Sequence, residues 1–246
     1  DLEDEILDGL EDMNFHEMTP VQEHTIPVIL EGRDIIGCAQ TGTGKTAAYT
    51  LPLLNKLLIE GNPDNVVKSL IIVPTRELAQ QIDQQFQGFS YYAPLSTTVV
   101  YGGGDGKGWD IQKNGMLNGA DVVIATPGRM IAHLQNSGVD LSHVEYLILD
   151  EADRMLDMGI SDDIMKIISY IPPNQQTNKF TTTPMSATRT RSWASSARCS
   201  PSRPTRRRSS SRRRNSRSRS WPIRSSAWDS TLRPCTPTWS RRSARR

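Results

Sequence analysis

The run Asp34-Ile35-Ile36-Gly37-Cys38 passes directly into Ala39-Gln40-Thr41-Gly42-Thr43-Gly44-Lys45-Thr46, and helix-forming residues follow to about position 60. An apolar β-rich run, a glycine-rich turn closing on Lys-Thr and a helix, in that order, predict a phosphate-binding loop. Gly42 and Gly44 let backbone N–H groups turn inward around phosphate oxygens, and the N-terminus of the following helix adds positive potential. Lys45 can reach β- and γ-phosphates, and the Thr46 hydroxyl can hold Mg²⁺. Thr41, Gly42, Thr43, Gly44, Lys45 and Thr46 are therefore the candidate nucleotide-binding set. The general pattern has glycine at the first position, where this chain has Ala39. The plain alternative is a glycine-rich turn, which does not account for the full order of elements.

Working outward, four further apolar runs recur: Leu70-Ile71-Ile72-Val73, Thr97-Thr98-Val99-Val100-Tyr101, Val122-Val123-Ile124-Ala125 and Tyr146-Leu147-Ile148-Leu149. Helices are predicted between the runs at about 45–60, 76–89, 109–118 and 128–136, with one more at about 153–170. Continuous apolar runs without in/out alternation suit strands buried on both faces. The repetition of strand and helix then predicts an α/β fold with a parallel sheet covered on both sides. Leu2, Ile6, Leu10 and Met13 are spaced for a short amphipathic helix ahead of the first strand. No internal repeat is visible.

Asp150-Glu151-Ala152-Asp153 follows one of these runs, which puts its first carboxylate at the C-terminal tip of a buried strand. Open α/β sheets bind their ligands at that edge. Asp150 suits a Mg²⁺ ligand and Glu151 suits polarising an attacking water. Taken alone, such a cluster is an ordinary solvated loop or helix cap; coupled to a phosphate loop it reads as the second half of a nucleotide-hydrolysing site.

The charge balance divides the chain. Residues 1–188 hold 11 Lys+Arg against 26 Asp+Glu, a net −15, whereas residues 189–246 hold 18 Arg and one acid, Asp229, a net +17. The first segment is long enough to bury a core by itself, since a domain of about 100–150 residues is the common size. The second, with 16 Ser, four of the five Trp and only Ile223 and Leu232 as aliphatics beyond alanine, is expected to be a disordered tail. Two origins for it stand open. In residues 189–246, 54 of 58 positions carry residues whose codons have G or C in the middle position, against 66 of 188 before them. A shifted reading frame in a gene rich in G or C at third positions produces that bias. The other origin is a genuine arginine/serine-rich tail that binds RNA or is phosphorylated. Ser-Arg alternation in it is brief, at Ser216-Arg217-Ser218-Arg219-Ser220.

Some classes are disfavoured. No run of 18 apolar residues exists and the start is acidic, so neither a membrane span nor secretion is expected. Cys38, Cys199 and Cys235 lie far apart without a CxxC pair, and His16, His24, His133 and His143 have no metal spacing, which argues against zinc and against a disulfide framework. A reducing, cytoplasmic setting is the expectation.

The motifs together resemble the N-terminal RecA-like domain of a DEAD-box RNA helicase. Asp150-Glu151-Ala152-Asp153 matches the motif that names the family, and residues 39–46 match its version of the phosphate loop, alanine included. Phe15 with Thr19-Pro20-Val21-Gln22 resembles the family's Q motif, which implies adenine recognition by Gln22 and stacking on Phe15. Pro74-Thr75-Arg76-Glu77-Leu78-Ala79, Gly102-Gly103 and Thr126-Pro127-Gly128-Arg129 resemble RNA-contacting motifs. The resemblance spans residues 1–188 and implies a RecA-like P-loop NTPase fold with a mainly parallel sheet flanked by helices. It further implies ATP and Mg²⁺ as ligands, Lys45, Asp150 and Glu151 as catalytic residues, and RNA held by its backbone without regard to sequence. Threonine hydroxyls, glycine amides and paired arginines suit phosphate and sugar contacts of that kind. The implied reaction is ATP hydrolysis coupled to strand separation.

The match weakens past residue 176. Ser186-Ala187-Thr188 repeats the family's coupling motif literally, assigning Ser186 and Thr188 that role. The family's usual spacing instead places the motif at Thr181-Thr182-Thr183, after Phe180. Asn178 and Lys179 stand where apolar strand residues are expected, so residues 177–188 read as locally disturbed. No motif of the second RecA-like domain follows, although such a domain would add about 150–200 residues and the arginine that stabilises transferring phosphate, worth about 10³–10⁵ in rate. Two other functions remain in view: a non-catalytic ATP- and RNA-binding fragment, and an RNA-binding interaction protein that uses the Arg/Ser-rich tail.

Overall fold

Leu2, Ile6, Leu7 and Leu10 are buried along or just ahead of α1 (Asp4–Asp12), as their spacing predicts. A second helix, α2 (Pro20–Leu30), stands between α1 and the first strand and was not foreseen. Its start is encoded by Thr19 as N-cap and Pro20 in the first turn, with the Gln22 side-chain oxygen accepting the Thr19 N–H at 2.9 Å. An internal Pro27 and the lack of a one-sided apolar stripe hide it from a periodicity search.

The remaining elements alternate: β1 (Ile35–Cys38), α3 (Lys45–Glu60), β2 (Ser69–Ile72), α4 (Arg76–Phe89), β3 (Thr97–Val100), α5 (Gly106–Leu117), β4 (Val122–Ala125), α6 (Pro127–Asn136), β5 (Tyr146–Leu149), α7 (Ala152–Asp157), α8 (Ser161–Ile168) and β6 (Gln176–Thr181). The single helix expected over 153–170 is two, because Gly159 takes a left-handed φ of 74° and ends the first. This computed structural model describes residues 2–182 apart from 63, 65, 104 and 105, all within one compact unit. Ser186, Thr188, the boundary at 188 and the tail 189–246 lie outside the described residues.

The six strands form one sheet in the order β1-β6-β5-β2-β4-β3, and every pairing is parallel. The central strands β2, β4 and β5 are buried at every position. Alternate residues feed two cores: Ile71, Ile124 and Ile148 join α1 to α4 on one face, while Leu70, Ile72, Val123 and Leu147 join α6 to α8 on the other. Burial on both faces fails only at the edges. β1 alternates, with Ile36 at 52 % exposure, and β3 is half-buried, because an edge strand is not enclosed as a central one is.

Residues 176–181 correct the expectation of a disturbed segment. β6 is buried at all six positions and sits between β1 and β5, with Asn178 paired to Ile35 and Ile148, and Lys179 to Ile36 and Leu149. Backbone pairing on both sides, together with Phe180 buried against Tyr49, holds the polar residues in the strand. Asn178 accommodates this badly: its Oδ1 has no hydrogen-bond partner among the described residues.

Candidate functional site

Because every strand runs the same way, the loops after β1, β2, β3, β4, β5 and β6 emerge on one edge of the sheet. That edge carries every candidate residue the structure describes after β1, sorted by strand order. The loops after β1, β6 and β5 hold the phosphate loop, Thr182 and the acidic cluster; those after β2, β4 and β3 hold Thr75-Arg76, Thr126-Pro127-Gly128-Arg129 and Gly102-Gly103.

The first group opens on a cavity of about 740 Å³ lined by Phe15, Gln22, Thr41, Gly42, Gly44, Lys45, Thr46, Asp150 and Glu151, among others. Gly44 is the N-cap of α3 and takes φ 83°. Glycine suits that left-handed backbone, and a side chain there would displace the Gln22 amide nitrogen, 2.5 Å away. Gln22 is buried and spends its amide on structure: its oxygen accepts the Thr19 N–H, and its nitrogen donates to the Gly44 carbonyl at 3.2 Å. Thus α2 is tied to the phosphate loop, a role the sequence did not show. Phe15 is half-buried beside the cavity, edge-on to Phe89 at 5.2 Å.

Lys45 is buried at the start of α3, and its Nζ donates to the Thr182 hydroxyl at 3.3 Å. The Thr182 N–H in turn donates to Asp153 Oδ2 at 3.0 Å. Thr182 therefore occupies the contact position between phosphate loop and acidic cluster, at the place the family spacing indicates. Thr43 caps its own loop through the Gln40 carbonyl at 2.8 Å.

Asp150 is 3 % exposed at the tip of β5. Its Oδ1 accepts the Glu151 N–H at 2.9 Å, and its Oδ2 accepts the hydroxyl of fully buried Tyr49 at 2.8 Å. Burial raises the Asp150 carboxyl above the usual range, opposed by the Tyr49 hydrogen bond and the Lys45 charge. The Tyr49 phenol is raised well above its usual value, by burial first and then by Asp150, while the Thr46 hydroxyl pulls the other way. Glu151 takes φ 49°, the left-handed region that a non-glycine residue seldom adopts, and its carboxylate pairs with Arg154 at 3.1 Å. Asp150 and Thr46 are hard oxygen donors on one cavity, and among the described residues no group of three His, Cys, Asp or Glu forms a metal cage. One carboxylate and one hydroxyl fit Mg²⁺, which usually keeps waters and phosphate oxygens as its other ligands.

The second group is a network around Tyr101. Arg76 lies over the Tyr101 ring at 4.8 Å, and Thr75 caps α4 by accepting the Leu78 N–H at 3.3 Å. The Tyr101 carbonyl accepts from Gln112 at 3.1 Å, and Gln112 Oε1 accepts from Arg129 Nε at 2.9 Å. Arg129 also stacks over Trp109 at 4.4 Å, and Trp109 stacks on His133 at 3.8 Å. Gly102, Gly103 and Gly128 are exposed, as is Arg76, while Thr75, Thr126 and Arg129 are half-buried. Pro74 and Pro127 are buried beneath them. His133 is fully buried, and burial lowers its pKa to about 4, aided by Arg129 and Lys113.

Sequence reasoning missed Tyr49, Trp109 and Gln112. Tyr49 and Gln112 sit three or more residues from any motif, on helix faces whose polar ends show only when the helices are docked.

Among proteins of known identity, the chain is 44% identical over 182 residues to the ATP-dependent RNA helicase CshA of Listeria monocytogenes, covering 74% of this chain and 34% of that protein. It is 42% identical over 179 residues to the ATP-dependent RNA helicase DeaD of Mycobacterium tuberculosis, covering 72% and 31%. The chain thus spans about a third of the length of these curated relatives. Its fold matches the crystal structure of a DEAD box protein from the hyperthermophile Methanococcus jannaschii with a TM-score of 0.72 and 32% identity, over 79% of this chain and 51% of that one. The family description that fits residues 19–193 is "DEAD/DEAH box helicase". A match of that extent, on a sheet whose one edge gathers the family's motifs in order, makes this chain a member of the DEAD/DEAH box helicase family.

Proposed function

We propose that residues 1–188 form the ATP-binding domain of an ATP-dependent RNA helicase, which binds Mg²⁺-ATP in the cavity between α2, the phosphate loop and the acidic cluster. What carries the reading is that Lys45, Thr46, Asp150 and Glu151, from elements about 100 residues apart, line one cavity with Gln22 and Phe15. Lys45 and the backbone amides of residues 42–46 bind the phosphates. Thr46 and Asp150 hold Mg²⁺, which neutralises developing phosphate charge when bound. Glu151, aimed by its left-handed backbone, orients water and accepts its proton. Phe15 offers a face to adenine, and Gln22 reads its edge with the amide hydrogen left after the bond to Gly44.

RNA is the partner of the second group. Arg76 and Arg129 bind its phosphates, with the hydroxyls of Thr75 and Thr126 and the exposed backbone at Gly102, Gly103 and Gly128 beside them, a set that grips the chain without reading bases. Thr182, joined to both Lys45 and Asp153, links the phosphate loop to the acidic cluster. The setting that fits is cytoplasmic, where ATP and RNA meet.

The test is nucleotide binding by isothermal titration with Mg²⁺ present. The chain should bind ADP and ATP, and Gln22→Ala should narrow the preference for ATP over GTP. Equal losses for ATP and GTP in that variant would leave Gln22 with its structural tie alone and remove the adenine assignment.

A further inference from the structure

Tyr49 is fully buried between Asp150 and Phe180, and its position is determined on both sides. Its ring packs on Phe180 of β6 at 5.1 Å, and its hydroxyl has no exposure to water. A buried hydroxyl must find a partner. This one donates to Asp150 Oδ2 at 2.8 Å, and Asp150 is one of the two side chains that would hold the cation.

We propose that Tyr49 is a positioning residue for the metal site, one that fixes the Asp150 carboxylate for Mg²⁺. The direction of the hydrogen bonds carries the argument. A phenol has one hydrogen, and Tyr49 gives it to Asp150. Asp150 is held at both oxygens, by Tyr49 and by the Glu151 N–H, so its carboxylate plane cannot rotate. Outer partners of this kind fix ligand orientation, and removing one typically costs about 10–100-fold in metal affinity.

The inference rests on the Mg²⁺-nucleotide reading above, and one experiment separates the two. In the full chain, binding of a non-hydrolysable ATP analogue is measured with EDTA and across a Mg²⁺ titration, for wild type, Tyr49→Phe and Phe180→Leu. Tyr49→Phe keeps the ring and its packing. It should raise the Mg²⁺ concentration for half-maximal tightening by about 10-fold or more, while affinity in EDTA stays within about twofold. Phe180→Leu, which loosens the same packing but keeps the phenol, should lower the melting temperature without moving the Mg²⁺ midpoint. A Tyr49→Phe midpoint within about twofold of wild type overturns the proposal. So does a shift of equal size in Phe180→Leu, or an equal loss with and without Mg²⁺, since either assigns Tyr49 to packing alone. A wild-type chain that binds the analogue with no Mg²⁺ dependence removes this inference but leaves the nucleotide site standing, whereas a wild-type chain that binds no nucleotide removes both.

Discussion

Lys45 shows how a single residue serves two tasks. Its ammonium sits 3.3 Å from the Thr182 hydroxyl and lowers the Asp150 carboxyl, so it already compensates the buried acid before any ligand arrives. Lys45→Ala should therefore weaken ATP binding by about 10–100-fold, the cost of a charge-assisted phosphate contact, and leave the weak affinity for adenosine nearly unchanged. Calorimetry with both ligands checks this, and equal losses would place Lys45 outside the phosphate subsite. His133 poses the opposite case. Its pKa is about 4 in the folded chain, below the ordinary value of 6.5, so the unfolded state binds more protons between those values. Stability therefore falls as pH drops from about 6.5 towards 4, by on the order of 2 kcal/mol from this group. His133→Gln, which cannot titrate, should flatten the decline in denaturant midpoint over that range. An unchanged slope would mean that His133 is not the group responsible.

At the scale of elements, β6 is the instructive case. Its Gln-Thr-Asn-Lys-Phe-Thr sequence has neither the apolar run nor the alternation that marks a strand, yet all six residues are buried. Two neighbours supply what the residues lack: β1 and β5 pair with it on either side in register, and long-range pairing overrides weak intrinsic preference. The unmatched Asn178 Oδ1 is the cost. Asn178→Val should stabilise the domain by about 1–2 kcal/mol, because it removes a buried polar group that lacks a full set of partners and adds a β-branched side chain. Urea unfolding at neutral pH measures it, and destabilisation would show that the amide has a use the described residues do not reveal. The split of the expected helix at 153–170 has a local origin instead, in Gly159.

At the scale of the whole molecule, the two charge blocks dictate separate behaviour. Residues 189–246 carry +17 against −15 before them, so the full chain should bind RNA in a strongly salt-dependent way. Neutralising about six phosphates would lose roughly 10³ in affinity between 50 and 200 mM salt. Deleting residues 189–246 and repeating the titration tests this; an unchanged slope would exclude the arginine-rich block as a binding arm. Turnover is set elsewhere. Phosphoryl transfer draws on charge stabilisation around the γ-phosphate, commonly from an arginine beyond the phosphate loop, and Arg76 and Arg129 lie with the other loop group. These 246 residues alone should bind ATP and hydrolyse it slowly, and Glu151→Gln should slow hydrolysis further with nucleotide still bound. Rapid RNA-stimulated hydrolysis by the chain alone would contradict that account of the transition state.

What the sequence determined by itself is local or periodic. Five strands, the phosphate loop and the acidic tip of β5 were legible because each is written in adjacent residues: apolar runs for strands buried on both faces, a Gly-x-Gly-Lys-Thr turn for the loop, carboxylates directly after a strand. Motifs with a known order, such as Thr126-Pro127-Gly128-Arg129, were legible for the same reason. What only the tertiary structure decided is whatever depends on a partner distant in the chain. No neighbour of Tyr49 in sequence announces Asp150, 101 positions away, and nothing around Gln112 announces that it links Tyr101 to Arg129. The identity of Thr182 as the contact between Lys45 and Asp153, and the burial of β6 and of Pro74 and Pro127, likewise follow from which loops the parallel sheet brings to its one edge. Hydrogen bonds and burial are properties of pairs, and the chain writes only single residues.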